Sequence, residues 1–153
     1  MQSDLSIREF KPQDVREIIK LHKESEDFFE EMDINEEFII NISQRRDFRF
    51  FIAVLNGRVV GCIGILFYTH VGRAEIGPIA VDKKYRNMQI GTRLLEKALE
   101  FLRDRKIHRL ISKVKADNQG AMDFFLRRGF QKEGYFREYT KKREDVVQFV
   151  RFI

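Results

Sequence analysis

Asn56-Gly57 stands between two runs rich in β-branched and aromatic residues, 49–55 and Arg58–Tyr68, and no other short segment of the chain constrains the fold as strongly. Asn-Gly accepts the positive φ angles of a two-residue hairpin turn, so the two runs are predicted to pair antiparallel. Residues 5–10 alternate apolar and polar and read as an earlier strand; 74–81 reads as a third strand after the hairpin. Pro12 breaks the first strand, and Asp14 is placed to cap a helix with Val15, Ile18, Ile19 and His22 on one face. A second helix is expected over 36–44, with Phe38, Ile39 and Ile42 inward.

The second half of the chain changes period. Leu94, Leu95, Ala98, Leu99, Phe101 and Leu102 recur at helical spacing, so a helix is predicted from near Gly91 to about Lys106. Residues 109–114 read as a strand. Asp117 or Asn118 then opens a helix through Ala121, Phe124, Phe125 and Leu126. Gly129 sits where a left-handed residue ends a helix, and Phe130 restarts extended structure. Two last strands cover about 130–139 and 145–152. The order β-α-α-β-β-β-α-β-α-β-β predicts a mixed α/β (α+β) sheet with helices packed on it. No repeat, linker or low-complexity tract divides the 153 residues, which are read as a single domain, 1–153.

Composition narrows the setting. Fifteen Phe supply a large aromatic core, and a single Cys excludes an intrachain disulfide and a Cys-rich zinc site. No signal peptide is visible, and charges interrupt every apolar run well before the roughly 18 residues a spanning helix needs, so a cytoplasmic protein with no membrane partner is expected. His22, His70 and His108 lack metal-ligand spacing, so no metal is expected. Cys62 lies in an apolar strand, as a small core residue would.

Charge is distributed unevenly. Glu24, Glu26, Asp27, Glu30, Glu31, Asp33, Glu36 and Glu37 fall in one stretch without a basic residue; against a whole-chain charge of +5, that stretch at −8 leaves +13 on the rest. A basic body suits a phosphate-bearing partner, and the acidic stretch suits a cationic one. Nucleic acid is not expected, because neither an RNP-like aromatic strand motif nor a helix-turn-helix signature is present.

The segment 79–95 combines a strand, a basic turn and a helix start. A helix N-terminus leaves about four amides without intrahelical partners and carries partial positive charge. Such a turn can wrap amides around a pyrophosphate, with Gly91 allowing close approach, the Thr92 hydroxyl adding a donor, and Lys83, Lys84, Arg86 and Arg93 around it. The segment is neither a P-loop nor a dinucleotide fingerprint.

Two windows together carry a resemblance. Arg86-Asn87-Met88-Gln89-Ile90-Gly91 is similar to the acetyl-CoA loop Arg/Gln-x-x-Gly-x-Gly/Ala of the GNAT superfamily of N-acetyltransferases. One strand later, Asn118, Ala121, Phe124, Gly129 and Phe130 resemble, in register, that family's Asn-x-x-Ala-x-x-φ-Tyr-x-x-x-Gly-Phe helix. The resemblance covers essentially the whole chain. It implies a mostly antiparallel sheet of six to seven strands with about four helices, the strands splayed at a cofactor cleft. It also implies transfer of an acetyl group from acetyl-CoA, as co-substrate, directly to an amine.

The resemblance assigns roles residue by residue. Ile79, Ala80 and Val81 would bond the pantetheine arm; the amides of Arg86, Asn87, Met88, Gln89, Ile90, Gly91 and Thr92 would hold the pyrophosphate. Asn118 would face the pantetheine, with Ala121 beside it, and Phe125 would line the acyl end. Glu75 matches the general base of the histone-acetylating branch. Two departures stand out. Gln89 replaces the first loop Gly, and Phe125 replaces a Tyr proposed to protonate the leaving thiolate, for which Tyr135 and Tyr139 are the candidate substitutes. The ribosomal-protein N-terminal branch carries Glu five residues before the Asn, where this chain has Lys113.

The acceptor wall in this family commonly comes from the first two helices. Here that places Glu26, Asp27, Phe28, Glu30 and Glu31 at the acceptor and implies a cationic amine: a polyamine, another small amine or a lysine side chain. The protein is expected as a monomer or homodimer. The alternative to an enzyme is a catalytically weak acyl-CoA-binding sensor of the same fold, which Phe125 and Gln89 motivate.

Overall fold

The computed structural model describes residues 4–24 and 34–153. Seven strands form one sheet in the order β1-β2-β3-β4-β5-β7-β6. They are β1 (Leu5–Glu9), β2 (Phe48–Leu55), β3 (Arg58–Tyr68), β4 (Arg73–Val81), β5 (Arg109–Lys115), β6 (Gln131–Phe136) and β7 (Val146–Phe152). Four helices complete the described residues: α1 (Val15–Glu24), α2 (Glu36–Ser43), α3 (Ile90–Asp104) and α4 (Gln119–Arg127). This is the expected element order. Asn56 (φ 50°) and Gly57 (φ 81°) form the hairpin turn, with Leu55 paired to Arg58.

The helices split between the two faces because the apolar residues of each strand alternate. One core joins Ile90, Leu94, Leu95, Ala98, Leu99 and Leu102 of α3 and Met122 and Phe125 of α4 to Phe51, Ile63, Ile65, Ile76, Leu110 and Phe149 of the sheet. The other joins Val15, Ile18 and Leu21 of α1 and Ile39 of α2 to Phe48, Phe50, Ile52, Cys62 and Ala80. Cys62 is fully buried, and burial pushes its thiol up to about 12, as befits a core residue rather than a nucleophile.

The capping expectation for Asp14 needs correction. Residues Pro12–Asp14 form a short 3-10 turn ahead of α1. The Asp14 carboxylate reaches backward, accepting from the Lys11 amide at 2.8 Å and from both terminal nitrogens of Arg8 at 2.8 and 2.9 Å. A charged fork of donors outcompetes the N-cap geometry there. Asn118, by contrast, caps α4 by accepting from the Ala121 amide at 3.1 Å, and Asn35 caps α2 through the Phe38 amide at 2.8 Å.

Two features of β4 open the sheet. All neighbouring pairs are antiparallel except β4 with β5, which are parallel and paired only through Arg73↔Arg109, Ala74↔Leu110 and Glu75↔Ile111. Beyond Glu75 the two strands separate. On the other edge, β3 pairs Ile63 with Ile79 but Ile65 with Ile76, so Gly77 and Pro78 together oppose Gly64. That β-bulge bends β4 away from β5. Proline has no N–H to lend to a ladder, so Gly-Pro inside a strand is the sequence signal of this break.

Candidate active site

The separation of β4 and β5 leads into a cavity of about 1140 Å³. Its walls are the diverging strand ends, including Ile79, Ala80 and Val81 of β4 and Ser112, Lys113, Val114 and Lys115 of β5. Its far end is the start of α3, reached through a 3-10 turn at Lys83–Tyr85. Because β5 has left, the outer edge of β4 at 79–81 offers backbone donors and acceptors to whatever occupies the gap.

The start of α3 is shaped by left-handed residues. Asn87 (φ 68°) and Gln89 (φ 60°) both adopt that conformation, and Gln89 is the N-cap with no side-chain capping bond. The first bond into the helix runs from the Arg93 amide to the Gln89 carbonyl at 3.0 Å. The amides of Ile90, Gly91 and Thr92 therefore have no intrahelical acceptor and lie at the positive end of a 15-residue helix. Gly91 has a packing reason beyond the expected close approach: a Cβ there would stand 3.0 Å from the Phe124 ring of α4. Thr92 Oγ1 accepts a 2.7 Å bond from Arg128 Nε.

Of the thirteen positions expected at the carrier, twelve line this one cavity: Ile79, Ala80, Val81, Arg86, Asn87, Gln89, Ile90, Gly91, Thr92, Asn118, Ala121 and Phe125. Met88 does not; its side chain is exposed to solvent. Among the basic residues expected around the turn, Lys83 and Arg86 line the cavity, whereas Lys84 and Arg93 lie outside it. Phe125 is buried against Phe124, Phe130 and Phe149 and presents no proton donor.

The catalytic candidates are placed differently. Glu75 is not a wall residue; its Oε1 accepts a 3.0 Å bond from Lys113 Nζ, and Lys113 does line the cavity. Burial disfavours the Lys113 charge, but hydrogen bonds to Tyr139 and Glu75 outweigh it and raise its pKa. The Tyr139 ring lies 5.4 Å from Lys113 Nζ. Tyr135 is mostly exposed, lines a separate cavity of about 430 Å³, and donates to Asp145 Oδ2 at 2.5 Å, which holds its hydroxyl above the usual range. The acceptor candidates Glu26, Asp27, Phe28, Glu30 and Glu31 lie outside the described residues. Glu24, at the end of α1, lines the cavity.

Lys113, Lys115, Arg127, Arg128 and Tyr85 also line the cavity, and sequence reasoning assigns them no role there. The two arginines fill variable positions of the helix motif just before Gly129, so their only available signal is an acid-free pair of cations at a helix end.

A split α/β sheet whose gap runs to an open helix start is the arrangement that the family resemblance implies. The acetyltransferase (GNAT) family model matches residues 13–130, and the chain belongs to that family. Among curated proteins it is 27% identical over 103 residues to N-alpha-acetyltransferase 30 of Schizosaccharomyces pombe, covering 65% of this chain and 69% of that one. It is 40% identical over 82 residues to an uncharacterized N-acetyltransferase of Chlorobaculum tepidum, covering 54% of this chain and 49% of the relative, about half its length. The fold matches the crystal structure of Ard1 from Thermoplasma volcanium with a TM-score of 0.86, at 23% identity and 97% coverage of both chains.

Proposed function

We propose that this chain moves an acetyl group from acetyl-CoA directly to a primary amine within a ternary complex. The observation that carries the reading is the continuity of one cavity from the β4/β5 gap to the open amides of Ile90, Gly91 and Thr92, with twelve expected carrier positions on its walls. The residues present suit such a carrier. Unpartnered amides and nearby cations suit a pyrophosphate, the bare strand edge suits an amide-bearing arm, and the buried ring of Phe125 suits an acetyl group.

Bound acetyl-CoA supplies the activated acyl group as a thioester. The incoming ammonium must first lose a proton; its nitrogen then bonds the acetyl carbon and loses a second proton as the carbon–sulfur bond breaks and the amide forms, and the thiolate takes one proton, so one proton is released overall. An ordinary ammonium near pKa 10.4 is almost fully charged at neutral pH, which is why a base is required. Glu75 is our candidate, reaching the opening through its pairing with Lys113. Of the two tyrosines, Tyr139 is the better placed donor because it sits beside Lys113.

A cationic acceptor, whether polyamine, other small amine or lysine side chain, is favoured by the acidic stretch 24–37, whose first member Glu24 is a wall residue. Neutralising Glu26, Asp27, Glu30 and Glu31 together should raise KM for cationic amines; an unchanged KM for every amine would remove that preference. The whole reading is tested by thiol release over an amine panel. Turnover with any amine supports the enzyme, whereas tight acetyl-CoA binding without turnover favours the sensor, the reading that Phe125 motivates.

A further inference from the structure

We infer that Arg127 and Arg128 read the 3′-phosphate of the carrier, so that this chain selects coenzyme A over its dephospho form. The inference rests on the reading of the cavity as an acetyl-CoA site and adds a specificity element to it. Arg128 is fixed by neutral partners alone. Its Nε donates to Thr92 Oγ1 at 2.7 Å, its Nη1 donates to the Phe124 carbonyl at 2.9 Å, and its guanidinium lies 3.8 Å from the centre of the Phe124 ring. No carboxylate among the described residues pairs with it, and burial and the neighbouring charge of Arg127 together lower its pKa.

These partners hold the guanidinium in place but leave its charge unmatched by an anion among the described residues. A half-buried guanidinium stands against the positive end of α3, and a second arginine adjoins it on the same cavity wall. The amides of Ile90, Gly91 and Thr92, with Arg86 and Lys83 lining the same cavity, already suit a pyrophosphate diester. The paired arginines are left for a further group. A terminal phosphate monoester carries between one and a half and two charges at pH 7, and guanidinium forks match its oxygens. Coenzyme A has such a group; dephospho-CoA has none.

Calorimetric titration of the protein with CoA and with dephospho-CoA tests this without reference to turnover. Wild type should bind CoA at least about ten-fold more tightly, the worth of one charge-assisted contact. In Arg127→Gln/Arg128→Gln that ratio should fall to about one through loss of CoA affinity, with dephospho-CoA affinity kept. Arg128→Lys, which keeps the charge without the fork, should fall between. Equal wild-type affinities would overturn the inference, as would an equal loss for both ligands, which would put the arginines on the pyrophosphate. If the double variant fails to fold, Arg127→Gln alone must still narrow the ratio, and an unchanged ratio overturns the inference. Failure of wild type to bind either ligand would instead bring down the carrier reading beneath it.

Discussion

Lys113 Nζ lies 3.0 Å from Glu75 Oε1, immediately past Glu75↔Ile111, the last pairing before β4 and β5 part. The pair closes the paired end of the gap, with Lys113 on the cavity wall and Glu75 behind it. Hydrogen bonds to Tyr139 and Glu75 outweigh burial and keep Lys113 an ammonium facing that carboxylate. On the proposed reading of Glu75 as the base, an incoming amine would share this carboxylate with the lysine.

Glu75→Gln is expected to lower kcat/KM by about 10²-fold or more, the usual range for loss of a general base. Lys113→Met should leave turnover measurable and cost less than Glu75→Gln, since it removes the carboxylate's hydrogen-bond partner and not the base. If Glu75 serves only the sheet, Glu75→Gln will lower thermal stability while kcat/KM stays that of wild type.

Gln89 pays for a conformation that glycine adopts freely. With φ 60° and ψ 22° it sits in the left-handed region, at a cost of about 1 kcal/mol for a residue with a Cβ. Gln89→Gly should therefore raise the melting temperature by about 2–4 °C, less whatever the more flexible unfolded chain recovers. Affinity for CoA should hold, because the amide remains. A lower melting temperature would mean that the Gln89 side chain contributes contacts that outweigh the strain.

How much could be read from the sequence depended on the range of the signal. The hairpin at Asn56-Gly57, the periodic face of α3 and the left-handed Gly129 (φ 85°) are written in neighbouring residues, and all are found as expected. The two short windows of the resemblance are likewise local, and eight of the twelve expected positions that meet on one cavity lie within them. Glu75 and Lys113 are 38 positions apart, and only the parallel pairing of β4 with β5 brings them together. Asp14 was misread for a related reason: its local spacing suited a cap, but Arg8, brought alongside by the turn at Pro12, offered two charged donors.

Gly91 ties the carrier loop to α4. A Cβ at this position would meet Phe124 Cε1 at 3.0 Å, and Phe124 cannot easily retreat between Phe125 and the Arg128 guanidinium. Gly91→Ala should weaken CoA binding by about ten-fold despite alanine's better helix propensity, because α3 must shift where its amides are exposed. Adding Phe124→Leu should restore most of the affinity. If Gly91→Ala binds CoA as wild type does, the ring is free to move and the contact does not set the loop.

His22 gives the fold an acid sensitivity of its own. Its ring is buried in the α1 face, with Nδ1 2.6 Å from the Ile18 carbonyl, and burial pushes its pKa down to about 4. The unfolded chain takes up this proton near pH 6.5 and the folded one only near 4, so stability is fully present above pH 6.5 and is lost as the pH falls between those values. Each unit of that window corresponds to about 1.4 kcal/mol, or about 2 kcal/mol by pH 5. Denaturant midpoints measured from pH 7 to 4.5 should fall steadily for wild type and much less for His22→Gln, which cannot take up the proton. Equal slopes for the two proteins would assign the acid sensitivity to the carboxylates instead.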